Sequence, residues 1–363
     1  MSPKAGAPIL PEIQEKAEKL AKDRFRYADT AHPVLEKLFE LGAARLARDL
    51  AEHPETHEPK VEINEPPPEQ TSDRSPMPLG PLELLVNEVK LPALPQVLIE
   101  LLRVINDPTS SANDLAEVVS MDTSLASYLL RIVNSAYYSF PFPIDTVARA
   151  VVLIGNREIA SLAFSTSFLK MFNESPPAFI DMELFWKHNI ACGIFARGLA
   201  QRCKRNNPAR HFVAGLLHDI GRLVIFSNIP ELAREVMAVG HDKAILLPEA
   251  EHRVLGFDHA RFGGALLGKW NFPSTLISAV LYHHAPHMDE DHDEPGIVHV
   301  ADIITKALGL GSSGEFYVPP INPQTWYGLG LSPEELVPLI QGLDGELEST
   351  FNILLGLKKI GPA

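Results

Sequence analysis

His218-Asp219 closes the apolar run at residues 212–217 and is followed by Ile220-Gly221-Arg222. An imidazole nitrogen and a carboxylate oxygen at the end of a core segment can present one neutral and one anionic donor to a cation. The dipeptide recurs as His241-Asp242 and His292-Asp293, but in polar stretches that read as solvated. Four other places share the first pair's apolar setting. They are His188 in Phe185-Trp186-Lys187-His188-Asn189, His259 in Gly256-Phe257-Asp258-His259-Ala260, His283-His284 after the apolar residues 276–282, and Asp302 in Val300-Ala301-Asp302-Ile303-Ile304. An unpaired polar group on such a segment is costly. One or two divalent cations shared by these side chains would satisfy several at once, and N/O donors without thiolate favour Fe, Mn or Zn over Ca.

Taken singly, each histidine also reads as a core imidazole bonded to a carbonyl. Spacing along the chain does not show whether five separated segments converge. Glu251-His252, one heptad before His259, reads as a surface pair. His53, His57 and His287 fall in charged loops, and Gly263-Gly264 reads as a close contact between helices. No phosphate-cradling Gly loop of P-loop type and no Gly-x-Ser-x-Gly nucleophile motif is present.

The elements that must position these residues read as helices throughout. Residues 9–52 carry apolar positions at helical spacing, broken at Ala31-His32-Pro33, and predict two amphipathic helices. Such helices need a partner surface, either the main domain or a second subunit in a homodimer. Residues 53–80 change character: prolines among Glu, Thr and Ser predict an extended linker with no core of its own. Residues 81–310 form a helical array with short turns, in which Ser111 or Asn113 caps one helix and Gly155 closes another. Residues 311–363 begin with a Gly/Ser/Pro-rich loop and end in a helix with Leu336, Leu339, Ile340, Leu343 and Leu347 on one face, expected to pack on the preceding domain. No convincing alternating strand appears, so the fold class is all-α.

Composition narrows the function classes. The 363 residues are 45% hydrophobic and carry a net charge of −14. That field repels nucleic acid, and no basic stripe with interleaved aromatics offsets it, so direct nucleic-acid binding is not expected. No apolar run is long enough to span a bilayer, and Met1-Ser2-Pro3-Lys4-Ala5 lacks a secretory core. The expectation is a cytoplasmic protein without a membrane. Its two cysteines, Cys192 and Cys203, read as free thiols.

Widely spaced His, His-Asp and Asp on an all-α scaffold resemble the HD superfamily of metal-dependent phosphohydrolases. The chain is most similar to the HDOD, or HD-related output, domain of bacterial signalling proteins. The N-terminal half of that domain resembles Leu91-Pro92-Ala93-Leu94-Pro95, Asp122-Thr123-Ser124-Leu125-Ala126, the stretch Leu130-Arg131-Ile132-Val133-Asn134-Ser135-Ala136-Tyr137-Tyr138, and Ala150-Val151-Val152-Leu153-Ile154-Gly155. Its HD half resembles Gly215-Leu216-Leu217-His218-Asp219-Ile220-Gly221-Arg222, Gly256-Phe257-Asp258-His259, Leu267-Gly268-Lys269-Trp270 and Tyr282-His283-His284. The resemblance implies a helical HD-like domain over roughly residues 80–310.

It also implies two functions. HDOD domains are regarded as signalling or scaffolding modules, so the first expectation is a regulatory module that binds a partner protein or a nucleotide. The alternative is a metal-dependent phosphohydrolase, because His188, His218, Asp219, His259, His283, His284 and Asp302 have counterparts among the metal ligands of HD-GYP cyclic-di-GMP phosphodiesterases. In that reading Asp219 bridges and Arg222 stabilises developing phosphoryl charge. Two departures stand out. Arg222 stands where those phosphodiesterases carry a phosphate-binding Lys, and Ala285-Pro286-His287-Met288-Asp289-Glu290 has no Gly-Tyr-Pro. The second departure argues against cyclic-di-GMP as the substrate.

Overall fold

The computed structural model describes residues 9–52, 80, 89, 93–107, 109–134, 138–172, 180–289 and 293–355. Among them there are helices and turns and no strand, so the fold is all-α. The linker expected over residues 53–80 lies outside the described residues, Gly80 apart, as does His292.

The chain runs through α1 (Pro11–Arg24), α2 (Pro33–Glu52), α3 (Gln96–Asn106), α4 (Ala112–Ser120), α5 (Thr123–Val133), α6 (Val147–Ile154), α7 (Asn156–Phe172) and α8 (Met182–Arg202). It continues with α9 (Pro208–Leu217), α10 (Ile220–Asn228), α11 (Pro230–Asp242), α12 (Leu247–Leu255), α13 (His259–Lys269), α14 (Ser274–Leu281), α15 (Asp293–Ala307), α16 (Pro323–Leu329) and α17 (Leu336–Leu354). The starts follow local chemistry. Ser111 and Asp114 form a capping box at α4, and the carboxylates of Asp122, Asp181 and Asp258 accept backbone N–H groups at the first turns of α5, α8 and α13. Proline occupies the first turn of α9 and α11, where its missing N–H costs nothing.

One core gathers almost all of these helices. It is centred on α8, whose residues from Ile190 to Ala200 are buried on every side. Phe25, Val34, Leu35 and Leu38 of the N-terminal segment belong to the same core. A Cβ on Gly42 would lie 2.3 Å from the Ala307 carbonyl oxygen, so α2 lies directly on α15. A smaller cluster of Ala17, Leu46, Ala47 and Leu50 joins α1 to α2. At the other end, α17 docks on α8 through Leu343 against Gly198 and through a buried pairing of Arg197 with Glu346, and Arg197 also pairs with Glu158 of α7.

Backbone contacts at glycines fix how the central helices cross. A Cβ on Gly215 would meet the Cys192 carbonyl carbon and the Gly193 Cα at 2.8 Å, so α8 and α9 touch backbone to backbone. A Cβ on Gly221 would lie 2.1 Å from the His259 carbonyl oxygen and 2.7 Å from the Gly263 nitrogen, which presses α10 onto α13. No larger residue fits either crossing without moving a helix. The first crossing is one turn from His188 and His218, and the second is beside Asp219 and His259.

Candidate metal centre

The crossings bring all five segments together. His188 comes from α8, His218-Asp219 from the α9–α10 junction, His259 from the first turn of α13, His283-His284 from the end of α14, and Asp302 from α15. His218 and Asp302, 84 positions apart by their numbers, lie 3.5 Å apart between Nε2 and Oδ1. His188, His218, Asp219, His259, His283 and Asp302 are all buried, and His284 is half-buried.

The donors form two sets that meet at Asp219. In the first, the Nε2 atoms of His188 and His218 lie 3.3 Å apart. Asp219 Oδ2 lies 3.5 and 3.2 Å from them, and Asp302 Oδ1 lies 3.1 and 3.5 Å from them. Both carboxylate oxygens thus face both imidazole nitrogens, and His188, His218 and Asp219 group closely enough to hold an ion. In the second set, His259 Nε2 lies 2.8 Å from Asp219 Oδ1 and 3.0 Å from His284 Nε2, with the His283 ring against that of His284.

Helix ends set the imidazole orientations. His218 Nδ1 lies 2.7 Å from the Gly215 carbonyl and His283 Nδ1 2.7 Å from that of Val280. Each ring thus donates to a carbonyl that its helix end leaves over, and its Nε2 turns inward. Glu251 does the same for His259: its Oε2 accepts from the ring Nδ1 at 2.5 Å and from the backbone N–H at 2.8 Å. Glu251 is fully buried. This corrects its reading as a surface residue, while His252 beside it is exposed. The eight-residue spacing from Glu251 to His259 was visible, but their contact depends on the turn at Gly256, φ +82°, between them.

Fixed positive charge surrounds the carboxylates. Arg222 is buried, with Nε 2.8 Å from Glu251 Oε1, Nη1 2.8 Å from Ser313 Oγ and 3.4 Å from Asp219 Oδ2, and Nη2 beside the His259 ring. Lys306 Nζ lies 2.5 Å from Asp302 Oδ2. Burial alone would raise the carboxylates, but Arg222 and the neighbouring imidazoles hold Asp219 well below the usual range, and Lys306 with His188 does so for Asp302. Burial likewise opposes Glu251, yet His259 and Arg222 hold it at about 2. Burial pushes His188, His283 and His284 down and keeps them neutral, as metal ligands must be. His218 goes the other way: burial opposes its charge, but Asp219 outweighs burial and holds it well above its usual value.

The donor set fits a cation. Asp302 Oδ1, Asp219 Oδ1 and His283 Nε2 are buried and make no hydrogen bond, although imidazole nitrogens stand close to both oxygens. Bare nitrogens facing bare oxygens repel unless a proton or a cation lies between them. Nothing in the sequence marked Ser313, which belongs to the Gly/Ser-rich loop after α15. That loop lies against α8: Gly311 has φ +74°, and a Cβ there would stand 2.4 Å from the His188 nitrogen. His299 is a satisfied core histidine. Its Nδ1 lies 2.8 Å from the His283 carbonyl, and its Nε2 accepts the Asn322 N–H at 3.0 Å.

The HDOD domain family matches residues 91–286 of this chain. The chain belongs to the HDOD family. The resemblance to this family is therefore borne out, and six of the seven candidate donors, all but Asp302, lie within the matched residues. A Treponema pallidum (strain Nichols) protein described as uncharacterized is 28% identical over 204 residues, a match covering 56% of this chain and 39% of that protein. This HDOD chain thus corresponds to about two fifths of that relative's length. Among solved structures, an HDOD domain protein from Geobacter sulfurreducens superposes with a TM-score of 0.67 at 24% identity, covering 76% of this chain and 96% of that one. A candidate phosphohydrolase from Shewanella amazonensis SB2B gives 0.60 at 25% identity, covering 73% and 95%. A candidate signal transduction protein from Marinobacter aquaeolei VT8 gives 0.57 at 24% identity, covering 74% and 59%. At these identities the first and third show the shared fold.

Proposed function

We propose that this HDOD protein is a bacterial regulatory module whose HD cleft serves as a metal-capable folded core, with signalling carried by its outer surface. One observation carries the reading: the donor cluster is sealed. Six of its seven donor residues are buried, and the loop holding Gly311 and Ser313 closes over α8 and Arg222. A phosphoester would need an open coordination position and a free cation for its charge. Arg222 has neither freedom nor exposure, since Glu251, Asp219 and Ser313 take up its donors.

His188, His218, Asp219 and Asp302 would hold the ion, which when bound supplies Lewis acidity and cross-links helices α8, α9 and α15. The chain's own residues do the rest. The Gly215, Val280 and Glu251 acceptors orient the imidazoles, Lys306 anchors Asp302, and the loop at Ser313 excludes water.

The partner is a signalling protein or a nucleotide, met in the cytoplasm. Among the described residues no single helix is long and apolar enough to cross a membrane. Homodimerisation through the N-terminal helices would have to use their outward faces, because Leu35 and Leu38 are spent on this chain's core.

The second reading, a metal-dependent phosphohydrolase, is favoured by the two donor sets sharing Asp219. The discriminating experiment is metal analysis of protein purified without added metal, followed by a screen of phosphoesters and cyclic dinucleotides. Bound metal without turnover supports the regulatory reading, and metal-dependent turnover overturns it.

A further inference from the structure

The two donor sets differ in what stands beside them. Around His188 and His218, among the described residues, Lys306 lies on the far oxygen of Asp302, 2.5 Å from Oδ2, while Oδ1 faces the imidazoles, and Arg222 touches the set only through Nη1, 3.4 Å from Asp219 Oδ2. The second set is built against a guanidinium. Arg222 Nη2 lies 2.8 Å from His259 Nδ1 and 3.3 Å from its Nε2, the atom that faces Asp219 and His284. Glu251, at 2.8 Å from Nε, and Ser313, at 2.8 Å from Nη1, fix the guanidinium from behind and leave it no route out of the core.

Charge bookkeeping points the same way. Asp219, Asp302 and Glu251 bring three negative charges into this buried volume, and Arg222 and Lys306 bring two positive ones. One divalent ion changes the balance from one net negative to one net positive. Two would leave three uncompensated positive charges away from water, which is strongly disfavoured. Counting the buried Glu315 as well still leaves two divalent ions in excess. The Arg charge is permanent, so it cannot be released to make room for a cation as a lysine's can.

We propose that Arg222 is the resident cation of the second donor set, so that the centre accepts a single divalent ion, at His188, His218, Asp219 and Asp302. This rests on the metal-capable core proposed above and adds the number of ions and the residue that sets it. Arg222 is then a specificity-determining residue for metal number rather than a phosphate-binding one. His259, His283 and His284 are kept as an imidazole cluster whose anion partner is already neutralised.

The test is a titration of the chelator-stripped full chain with Mn2+, counting ions per chain by calorimetry and elemental analysis and reading their environment by electron paramagnetic resonance. Wild type should bind one ion and give the hyperfine sextet of an isolated Mn2+. Arg222→Lys puts a releasable charge in its place and should admit a second ion with loss of one proton. Arg222→Met removes the positive charge outright while Glu251 and Asp219 stay as counter-charge, and it should also bind two ions and give the spectrum of an exchange-coupled pair. Two ions in wild type, or a single ion in both variants when their circular dichroism matches wild type, overturns the role given to Arg222. No Mn2+ bound by correctly folded wild type overturns the metal-capable core beneath it.

Discussion

The Nε2 atoms of His188 and His218 stand 3.3 Å apart, although 30 residues separate them in the chain. His218 gives its Nδ1 proton to the Gly215 carbonyl, which turns its Nε2 inward. Asp302 Oδ1 faces both rings without hydrogen-bonding either. Two imidazole nitrogens and a carboxylate oxygen drawn to one place form a receptor for positive charge, either a proton on His218 or a bound cation.

Removing a member of this group should therefore empty it. Asp219→Ala deletes the carboxylate common to both donor sets, and the metal content of purified protein should fall at least tenfold. His241→Ala changes an exposed histidine on α11 and should leave metal content unchanged. Elemental analysis of the two proteins, purified side by side, decides it, and equal loss in both would refute the centre.

The helix crossings can be probed apart from the ligands. Gly221→Ala puts a methyl 2.1 Å from the His259 carbonyl and should destabilise the fold by about 3 kcal/mol while lowering metal content. Gly268→Ala lies on the exposed side of the same α13, with nothing within 4 Å, and should be neutral or stabilising by up to about 1 kcal/mol. Urea unfolding of both variants measures this. Equal stability would mean that α10 and α13 do not meet as closely as described.

Glu251 positions His259 and balances Arg222. Glu251→Gln leaves a buried guanidinium short of its counter-charge, which costs about 3 kcal/mol. Thermal or urea denaturation in the presence of chelator isolates this from metal binding. A loss under about 1 kcal/mol would place Arg222's counter-charge elsewhere.

Acid sensitivity has an assignable source in His299. Burial holds its pKa at about 4, against 6.5 for the free side chain. The unfolded chain binds this proton more readily than the native one, so stability is fully present above pH 6.5 and is lost as pH falls toward 4. The contribution is about 3 kcal/mol, from 1.36 kcal/mol per unit. His299→Gln should be less stable than wild type at pH 7.5 and should flatten the decline between pH 6.5 and 4. An unchanged slope in that variant would assign the decline to another group.

Much of this protein was legible before its fold was seen. Apolar spacing at three and four gave the helices, and Ser111 gave the start of one, because both signals are local. The ligand-type residues were legible too: His188, His218, Asp219, His259, His283, His284 and Asp302 each sit on an apolar segment, where an unsatisfied polar group would not persist. Ordered motifs then placed the chain in its family.

What the sequence could not decide was which of those groups share a site and what closes it. Convergence depends on helices crossing at Gly215 and Gly221, where backbones touch only because no side chain intervenes, and on the direction each helix leaves its turn. Glu251 looked like a surface residue because its neighbour His252 is one, and a single step along a helix turns a side chain by about 100°. Ser313 sits in a loop whose composition signals only flexibility, yet the fold lays it on Arg222. Sequence determined the chemistry available to this protein. Tertiary structure decided that Arg222 faces Glu251 and His259 rather than solvent, since burial of a charge depends on distant partners that no local pattern encodes.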